Sequence, residues 1–400
     1  MKEWKLKECC LSISDGDHLP PPKSNAGIPF ITISNIDSTN HLDFKNTLFV
    51  PIEYYDKLDS IRKAQIGDII YSVVGSFGKP VLIKDNKKFA FQRHIAILRP
   101  NSSIVDSRYL YYVMLTREFY MQADSVAIGA AQRTISLTSL RNMKVKLPSL
   151  DFQQRIATIL SRYDSLIENY QMQIKLLEES AQRLYKEWFI DLRFPGHENT
   201  KIVDGVPEGW EKKKIGDISK TTSGGTPSRT NNSFYSGSIM WVKTKELCDG
   251  FILGTEEKIT EEAIKKSSAK IVPAGSILMA MYGATIGKLG IATKDLTCNQ
   301  ACCVFLISED NPLRWYIFNW LLQNRNFLIS QGKGAAQPNL SQDMIKGFEL
   351  IIPDDKSLRG YHLLINPIYL NIKSLQSQIC QLTEARNRLL PKLMNGEIDV

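Results

Sequence analysis

The sequence lacks the features that would place the chain in a membrane or outside the cell. No apolar run approaches the roughly 18 residues of a membrane-spanning helix, and residues 1–5 do not open a secretory signal peptide. The seven cysteines are odd in number and include two adjacent pairs, which disfavours a disulfide framework. We therefore expect a cytoplasmic protein without membrane contact, whose thiols are reduced and mostly buried.

Metal-binding and nucleotide-binding signatures are also missing. No Cys-x-x-Cys occurs, and Cys298 and Cys302 are the nearest approach to a metal pair, so a zinc site is the less favoured interpretation. Residues 283–289 resemble a phosphate-binding loop but lack one spacer residue and the Ser or Thr after the lysine. Here and at residues 75–79, a turn between strands in which glycine supplies positive φ is the better interpretation. Neither catalytic residues nor a metal ligand set is predicted.

One short motif is similar to a methyltransferase element. Residues 366–369, Asn-Pro-Ile-Tyr, resemble the Asn-Pro-Pro-Tyr loop that amino-methylating enzymes place around a flipped base. The second proline is absent, and no nucleotide-binding fingerprint lies upstream. Because Pro367 falls inside a helical pattern, we interpret it as a helix kink or as a late helix start.

What the sequence does contain is enough apolar material for more than one domain. The chain has 400 residues, of which 43% are hydrophobic, and its net charge is +8. Residues 151–192 carry five basic and seven acidic side chains, and residues 355–400 carry six and four, so the positive excess lies elsewhere. Basic globular parts joined to neutral helices are typical of nucleic-acid readers with a spacer, although a merely solubilising charge explains the balance equally well.

A heptad pattern predicts a long helix over residues 151–191. Apolar side chains recur in steps of four and three, with no Pro or Gly between them, and form one stripe that needs a partner helix. About 40 residues would make a helix of roughly 60 Å. The members of the stripe are Ile156, Leu160, Tyr163, Ile167, Tyr170, Ile174, Leu177, Ala181, Leu184 and Trp188.

The partner lies in the same chain, because the sequence repeats itself after 205 residues. Gly-Ala-Ala-Gln at 129–132 recurs at 334–337, and prolines 148 and 353 close the two blocks. The stripe shifted by 205 residues stays apolar or aromatic except at Arg386, which puts the packing there in doubt. Its members are Tyr361, Ile365, Ile368, Ile372, Leu375, Ile379, Leu382, Arg386, Leu389 and Leu393.

Each half should be a globular α/β unit followed by a long helix. In the first unit we predict strands at 28–36, 66–74, 80–84 and 94–98 and a helix over 106–122, capped by Asp106 or Ser107. In the second we predict strands at 239–243, 275–282, 289–293 and 302–307 and a helix over 312–327. The fold class is therefore α/β, in the α+β sense.

Basic and amide side chains supply candidate DNA contacts in both units. Lysine and arginine can bind phosphates, and an amide can pair bidentately with adenine. An ordinary solvated charge, or a structural loop at the helix base for Gly-Ala-Ala-Gln, explains each of them as well. The candidates are Lys79, Lys84, Lys87, Lys88, Gln92, Arg93, Gln132 and Arg133 in the first unit, and Arg229, Lys243, Lys245, Lys288, Gln300, Gln337 and Asn339 in the second.

The two globular units, the matching helices, the repeated Gly-Ala-Ala-Gln turn and Val-Pro-Glu-Gly-Trp at 206–210 form one pattern over essentially the whole chain. This pattern resembles the specificity subunit of a type I restriction–modification system. The resemblance implies target recognition domains at 1–148 and 210–353, conserved spacer helices at 149–192 and 354–400, and a linker at 193–209. It also implies pseudo-two-fold symmetry and an intramolecular antiparallel coiled coil, with the helix-pairing seam at Leu160 to Leu177 and Ile365 to Leu382.

The resemblance further implies a function. Each recognition domain would read one half of a bipartite site in double-stranded DNA, and the helices would set the spacing and dock two modification subunits. This chain would hold no cofactor and catalyse nothing. S-adenosylmethionine, ATP and Mg would belong to the modification and restriction subunits.

Two other functions stay open. A DNA methyltransferase or nuclease acting in its own right would need an S-adenosylmethionine fingerprint or a carboxylate–lysine site, and the sequence offers neither. A coiled-coil adaptor that binds proteins alone would show no tight, salt-sensitive, sequence-selective DNA binding in its assembled complex.

Overall fold

The computed structural model describes residues 1–398 apart from 17, 19, 38, 131 and 333–338. The chain divides into two compact units. Unit 1 comprises Met1–Ile167 together with Leu382–Val400, and unit 2 comprises Glu168–Gln381. Each of the two longest helices contributes residues to both units, so neither unit is a single globular segment followed by a separate helix.

Unit 1 combines small sheets with helices. Its strands are β1 (Lys2–Lys5), β2 (Cys10–Asp15), β3 (Ile28–Ile31), β4 (Leu48–Val50), β5 (Ile69–Ser72), β6 (Pro80–Leu82), β7 (Ala90–Phe91), β8 (Ile95–Pro100) and β9 (Lys144–Leu147). Its helices are α1 (Leu6–Cys9), α2 (Ile52–Lys57), α3 (Ser107–Leu115), α4 (Arg117–Val126), α5 (Leu137–Asn142) and the first part of α6 (Leu150–Phe189), with 3-10 turns at Ile33–Asn35 and Ser60–Arg62.

The strands of unit 1 form three sheets. One has the order β2-β8-β5-β6 and is antiparallel throughout, a second has the order β4-β3-β7 with β3 and β7 parallel, and β1 pairs with β9. Strand β5 is buried at every position because both faces of its sheet are covered. Its alternate side chains enter different cores: Ile69 and Tyr71 join the core that contains the helices, and Ile70 joins the core on the other face.

Unit 2 repeats this construction. Its strands are β10 (Ile202–Val203), β11 (Val206–Pro207), β12 (Glu211–Lys214), β13 (Lys220–Ser223), β14 (Ile239–Val242), β15 (Gly250–Ile252), β16 (Glu257–Ile259), β17 (Ile277–Ala280), β18 (Leu289–Ala292), β19 (Thr297–Cys298), β20 (Cys302–Leu306) and β21 (Glu349–Ile352). Its helices are α7 (Ile215–Ile218), α8 (Glu261–Lys265), α9 (Leu313–Gln323), α10 (Arg325–Ser330), α11 (Gln342–Gly347) and the first part of α12 (Asp355–Met394), with 3-10 turns at His197–Asn199, Asn232–Tyr235 and Thr244–Glu246.

The strand orders of the two units correspond. The series β13-β20-β17-β18 matches β2-β8-β5-β6, and β15 is added at the edge parallel to β18. The series β16-β14-β19 matches β4-β3-β7, including the parallel pair, and β12 pairs with β21 as β1 pairs with β9. Two stretches of one chain with little sequence identity therefore form the same sheets.

The helices predicted over 106–122 and 312–327 are each interrupted in the structure. The cap at Asp106 is confirmed, since its carboxylate accepts the backbone N–H groups of Arg108 and Tyr109 at 2.9 and 3.2 Å. The single helix predicted over 106–122 is wrong, because the chain breaks at Thr116, whose hydroxyl accepts the N–H of Phe119 and starts α4. The helix predicted over 312–327 is likewise divided at Asn324 into α9 and α10.

In unit 1, α6 and the end of α12 enter the same core as α3. Ile156, Ala157 and Leu160 of α6 are buried there with Leu393 of α12. Leu389 and Leu390 are half-buried and pack against this core. Within unit 1, the apolar stripe of α6 is therefore covered by the end of α12, and the stripe of α12 by α6.

In unit 2, the remaining parts of α6 and α12 pack together through aromatic side chains. Trp188 lies 5.9 Å from Tyr361 between ring centroids, whereas Glu178, earlier on α6, lines the same cavity as Tyr369, later on α12. The two segments in unit 2 therefore run in opposite directions. Tyr369 also stacks on Trp315 of α9, with ring centroids 4.0 Å apart.

The seam residues differ in burial. Tyr185 and Tyr369, each one position past a predicted stripe member, are buried because the long helices pack against α9 as well as against each other. The buried seam residues are Leu160, Ile167, Ile174, Ile365, Ile372 and Leu375, and the half-buried ones are Tyr163, Tyr170, Leu177, Ile368, Ile379 and Leu382.

Pro367 does not start a helix. Helix α12 begins twelve residues earlier, at Asp355, so the late start considered for this position is wrong. Asn366 accepts a hydrogen bond from Trp315 Nε1 at 2.9 Å, and the Tyr369 hydroxyl donates to Asn319 Oδ1 at 2.9 Å. The Asn-Pro-Ile-Tyr segment is thus part of a helix that is bonded to α9, unlike the loop of a methyltransferase.

The cysteines are free thiols, and four of them, Cys9, Cys298, Cys302 and Cys303, are buried. Burial raises the pKa of Cys303 to about 12, so this thiol stays protonated at neutral pH. In the part of the chain that the structure describes, no group of three or more His, Cys, Asp or Glu side chains is placed to hold a metal ion. None of the helices within that part has the length and apolar content to cross a membrane.

The contact between the long helices in unit 2 can be tested by burying a charge in it. We expect Ile174→Asp to lower the free energy of unfolding of the full chain by about 3 kcal/mol or more, because Ile174 is buried in the core that contains α12. Denaturant unfolding measures this change. Met172→Asp is the matched control, since Met172 is 55% exposed on the same helix. Equal losses in the two variants would contradict the assignment of Ile174 to the contact.

Candidate nucleic-acid interface

Three turns of unit 1 meet where β5 ends. The N–H of Val73 donates to the carbonyl oxygen of His94 at 2.9 Å, and the Val73 carbonyl accepts the N–H of Ile135 at 2.8 Å. The N–H of Gly75 donates to the carbonyl of Arg133 at 2.9 Å. We call residues 75–79, 92–94 and 132–134 turn cluster 1. It brings together five of the predicted contacts, which are Lys79, Gln92, Arg93, Gln132 and Arg133.

Glycines shape the first of these turns, as predicted from the sequence. Gly75 and Gly78 have φ angles of +66° and +92°, which other residues rarely adopt. A Cβ on Gly78 would also lie 2.8 Å from the Tyr120 ring. In unit 2, Gly283 and Gly287 have φ angles of +85° and +77°. The interpretation of both segments as glycine turns is confirmed.

The side chains of turn cluster 1 are of two kinds. Arg133 is held in place, because its guanidinium pairs with Asp124 and lies 5.4 Å from the centroid of the Phe77 ring. Gln132 and Arg93 are exposed, and Lys79 is half-buried. Neither Lys79 nor Arg93 forms an ion pair with any residue that the structure describes. These two cations are thus available to an external anion.

Lys84, Lys87 and Lys88 lie apart from turn cluster 1. They are exposed on the loop between β6 and β7, and the extended strand β6 separates this loop from the turn at 75–79. The Lys87 ammonium lies 3.4 Å from the centroid of the Phe44 ring, and that of Lys88 lies 5.9 Å from the Tyr55 ring. The structure therefore does not join these lysines with the other candidates of unit 1.

A cavity of about 390 Å³ opens beside the turn at 92–94. Gln92, Arg93 and His94 border it, and the apolar side chains of Phe30 and Val50 are among the others that line it. Burial, with a smaller contribution from Arg93, lowers the pKa of His94, so its imidazole is neutral at pH 7. The cavity offers an apolar interior with amide and guanidinium groups at its border.

Unit 2 has a corresponding set of turns at the end of β17. The N–H of Met281 donates to the carbonyl of Ala301 at 2.8 Å, and the Met281 carbonyl accepts the N–H of Leu340 at 2.9 Å. We call residues 283–288, 299–301 and 339–340 turn cluster 2. It contains the predicted contacts Lys288, Gln300 and Asn339. Gln337 and the rest of the second Gly-Ala-Ala-Gln element lie outside the described residues.

The four predicted basic contacts of unit 2 all have acidic partners. Lys288 Nζ lies 2.7 Å from Asp249 Oδ2, and this carboxylate also binds Arg325. The remaining three surround two glutamates on or beside β16. The N···O distances are 2.7 Å for Arg229–Glu257, 2.9 Å for Lys243–Glu257, 3.0 Å for Lys243–Glu256 and 2.7 Å for Lys245–Glu256.

Glu256 and Glu257 reduce the net positive charge that Arg229, Lys243 and Lys245 present. The hydrogen bond from Lys243, followed by that from Arg229, lowers the pKa of Glu257, and Lys245 is the largest cause of the lowered pKa of Glu256. Both glutamates are thus ionised at neutral pH, and each partly neutralises its cationic neighbours. Arg229 is also stacked 4.2 Å from the Tyr235 ring centroid, which fixes its direction. Contact of these cations with phosphate stays a prediction.

Sequence reasoning missed the acidic partners and two close backbone contacts. Asp124, Asp249 and the two glutamates left no local signal, because each partner is 9 or more residues away in the chain. Gly16 lies against the backbone of Gln92, and Gly224 lies against that of Asn299. Both glycine positions are 208 residues apart, as are Gln92 and Gln300. This common offset of 208 residues is visible in the sequence and could have indicated both backbone contacts.

Polar contacts outside the turn clusters attach the globular part of each unit to its long helix or to the residue before it. In unit 1, Gln153 Oε1 of α6 accepts the N–H of Asp106, and Gln153 Nε2 donates to the carbonyl of Pro148, both at 3.0 Å. In unit 2, Trp210 Nε1 donates to Asp354 at 3.0 Å, and Gln376 of α12 accepts the N–H of Phe251 at 3.1 Å. These hydrogen bonds join each globular part to a long helix, and they lie outside both turn clusters.

Both turn clusters present amide and basic side chains. Amides, guanidinium groups and ammonium groups can pair with base edges and phosphates. Acid–base or nucleophilic catalysis would need a different set of side chains with matched pKa values.

Comparisons with known proteins agree with this geometry. The family model described as the type I restriction modification DNA specificity domain matches residues 2–179 and 207–357. The MjaIX specificity subunit of a type I restriction enzyme from Methanocaldococcus jannaschii is 31% identical over 307 residues, covering 75% of this chain and 71% of its own. The HindI specificity subunit from Haemophilus influenzae is 24% identical, covering 92% of this chain and 95% of its own.

A solved structure has the same fold. The S subunit of a type I restriction–modification system from M. genitalium aligns with a TM-score of 0.61 at 15% identity, covering 98% of this chain and 95% of that one. The family model matches two separate segments that together include most of the chain. The chain therefore belongs to the family of type I restriction–modification DNA specificity proteins.

Proposed function

We propose that this chain is the DNA-recognition subunit of a type I restriction–modification complex. Its recognition domains, residues 1–148 and 210–353, each read one half of a bipartite site in double-stranded DNA. The observation that carries the proposal is the family match, which falls on two segments of the chain and includes turn cluster 1 in the first and turn cluster 2 in the second. Because the side chains of the two clusters differ, the two half-sites should differ in sequence.

The long helices are proposed to set the spacing between the half-sites. The spacer helices at 149–192 and 354–400, with the linker at 193–209, would pair as an antiparallel intramolecular coiled coil and relate the recognition domains by a pseudo-two-fold axis. The burial of both apolar stripes, and the opposite directions of the two segments inside unit 2, support this proposal. Two domains one helical turn of DNA apart can read the same face of a duplex.

The chemistry is assigned to other subunits. Two modification subunits would bind S-adenosylmethionine and methylate adenine, and restriction subunits would cut DNA with ATP and Mg. The long helices, whose outer faces expose Met172, Leu176 and Leu363, offer apolar surface for docking the modification subunits. The chain itself would direct these enzymes and hold none of their cofactors.

The enzyme alternative is less well supported. Its best motif, Asn-Pro-Ile-Tyr, lies in α12, where Asn366 and Tyr369 are already bonded to α9. Methyl transfer to DNA by the purified chain alone would favour that alternative. A protein-only adaptor would be favoured if the assembled complex bound DNA without sequence preference.

Mapping methylated bases in cells tests the proposed function. When the chain is expressed with its modification subunit, we expect methylated adenines in one interrupted motif with two different halves and a fixed spacer, because each recognition domain reads separately. A continuous motif, or no motif, would contradict the proposal. Cells that express the modification subunit alone provide the control.

An exchange of one recognition domain tests the division of labour. When residues 1–148 are replaced by the corresponding domain of a relative, we expect one half-site to change while the other half-site and the spacer length stay the same. The same methylation map measures the result. Replacement of residues 210–353 is the matched control and should change the other half. A change in both halves after either exchange would argue against independent reading.

The ion pairs of unit 2 lead to a prediction on salt dependence. In the assembled complex, we expect Lys79→Ala with Arg93→Ala to reduce the slope of log affinity against log salt by about 2, since each unpaired cation that binds a phosphate releases about one counterion. Lys243→Ala with Lys245→Ala should change the slope less, because Glu256 and Glu257 already balance these lysines. Titrations of the cognate duplex at several salt concentrations measure both slopes. Equal reductions would refute the distinction.

A further inference from the structure

Arg386 is the one charged residue on the shifted stripe, and the structure gives it a partner. Its guanidinium Nη1 donates to Asp164 Oδ1 of α6 at 2.6 Å, and the Tyr112 hydroxyl of α3 donates to Asp164 Oδ2 at 2.5 Å. We call these three side chains the Asp164 cluster. All three belong to unit 1, and they connect α3 with both long helices.

Two members of the Asp164 cluster are buried, and the third, Arg386, is half-buried. Asp164 is 9% exposed and Tyr112 is 2% exposed. Burial and the neighbouring Asp164 carboxylate raise the pKa of Tyr112. The phenol therefore stays protonated, and its O–H donates a hydrogen bond to the carboxylate. Without the arginine, the buried carboxylate would keep the phenol but lose its counter-charge, and a buried charge without a counter-charge is strongly unfavourable.

Unit 2 replaces this cluster with apolar groups. The repeat places Tyr369 at the position of Asp164 and Ala181 at that of Arg386, and α9, which begins 206 residues after α3, places Phe318 at that of Tyr112. Phe318 and Tyr369 meet edge to face with ring centroids 5.5 Å apart, and Ala181 is buried in the same core. Packing of the repeat at this position therefore does not require an ion pair.

The remaining role of the pair is to choose the register of the helices. An apolar heptad stripe permits sliding by seven residues, whereas a buried polar pair makes one register better than the others. A slip of one heptad would place Asp164 opposite Ile379 or Leu393 in place of Arg386. Such a slip moves the helices by about 10 Å along their axes, which is close to 3 base pairs of DNA.

We propose that the Asp164–Arg386 pair, oriented by Tyr112, fixes the register of the two long helices and thereby the number of base pairs between the half-sites. Asp164 and Arg386 are positioning residues in this role. The inference rests on the proposed function, since it assigns the fixed spacer of the recognised site to three named side chains.

The test replaces the pair with apolar residues and reads the spacer directly. Full-length Tyr112→Phe with Asp164→Leu and Arg386→Leu, expressed with the modification subunit, should still fold. Apolar residues commonly replace a buried ion pair without loss of stability, and phenylalanine leaves no buried hydroxyl without an acceptor. Methylation mapping should then show both original half-sites, with a second spacer length about 3 base pairs from the first. A purely structural role would change thermal stability but leave one spacer length.

Three further variants make the outcome decisive. Arg386→Lys keeps the charge and should keep one spacer. Arg388→Met is the matched control on the same helix, because Arg388 forms only an exposed pair with Glu384 at 2.5 Å, and it should also keep one spacer. The reversed pair, Asp164→Arg with Arg386→Asp, should again give one spacer, because the charges still select one register.

The inference and the proposed function fail in different ways. If the wild-type complex gives no interrupted motif, the proposed function is wrong. If the wild type gives one and the leucine variant shows the same single spacer, the register role is wrong. Should the leucine variant be insoluble, the reversed pair decides: a soluble reversed variant without methylation, or with several spacers, overturns the inference.

Discussion

Burial of the apolar stripes on α6 and α12 is the constraint on which both units depend. Each helix is 40 residues long, and a solvated helix of that length cannot leave such a stripe in water. In unit 1 the stripes are covered together with α3, and in unit 2 they are covered together with α9. Helices α3 and α9 thus share a hydrophobic core with the long helices, so neither can turn against them without opening that core.

The net charge of +8 does not show which positive side chains of each unit are available to bind an anion. In unit 1, Lys79 and Arg93 have no acidic partner within the described ranges, and they lie beside an exposed amide. In unit 2, the corresponding charges are tied to Asp249, Glu256 and Glu257. Paired cations add less to non-specific attraction, but their directions are fixed, and fixed direction is what discrimination between base edges requires.

Much of the architecture could be predicted from the sequence because periodic patterns are local. The heptad stripe predicted a helix at 151–191, observed as Leu150–Phe189, and the offset of 205 residues predicted its counterpart. The breaks at Thr116 and Asn324 were not foreseen, since a cap within an apolar stretch does not interrupt the hydrophobic period.

The polar contacts could not be predicted, because they join residues that are far apart in sequence. In the sequence, Arg386 only interrupts the apolar stripe. Its partner Asp164 lies 222 residues away, at a position between two stripe members, so the pattern does not reveal the pair. The glycine turn at 75–79 and the candidate contacts at 92–93 and 132–133 are separate in the sequence, and only the hydrogen bonds between their segments show that they meet. Short motifs therefore identified the candidate contacts, and tertiary structure was needed to group them.

The division of the chain also has a consequence for its synthesis. Unit 1 contains Met1–Ile167 and the last residues from Leu382, so its core stays incomplete until Leu393 has left the ribosome. At about 5–20 residues per second, more than 200 residues and roughly 10–40 s separate the two parts. Unit 2, which is continuous in the chain, can fold first during translation. Within this sequence, the unit that begins first therefore completes its core after the unit that follows it.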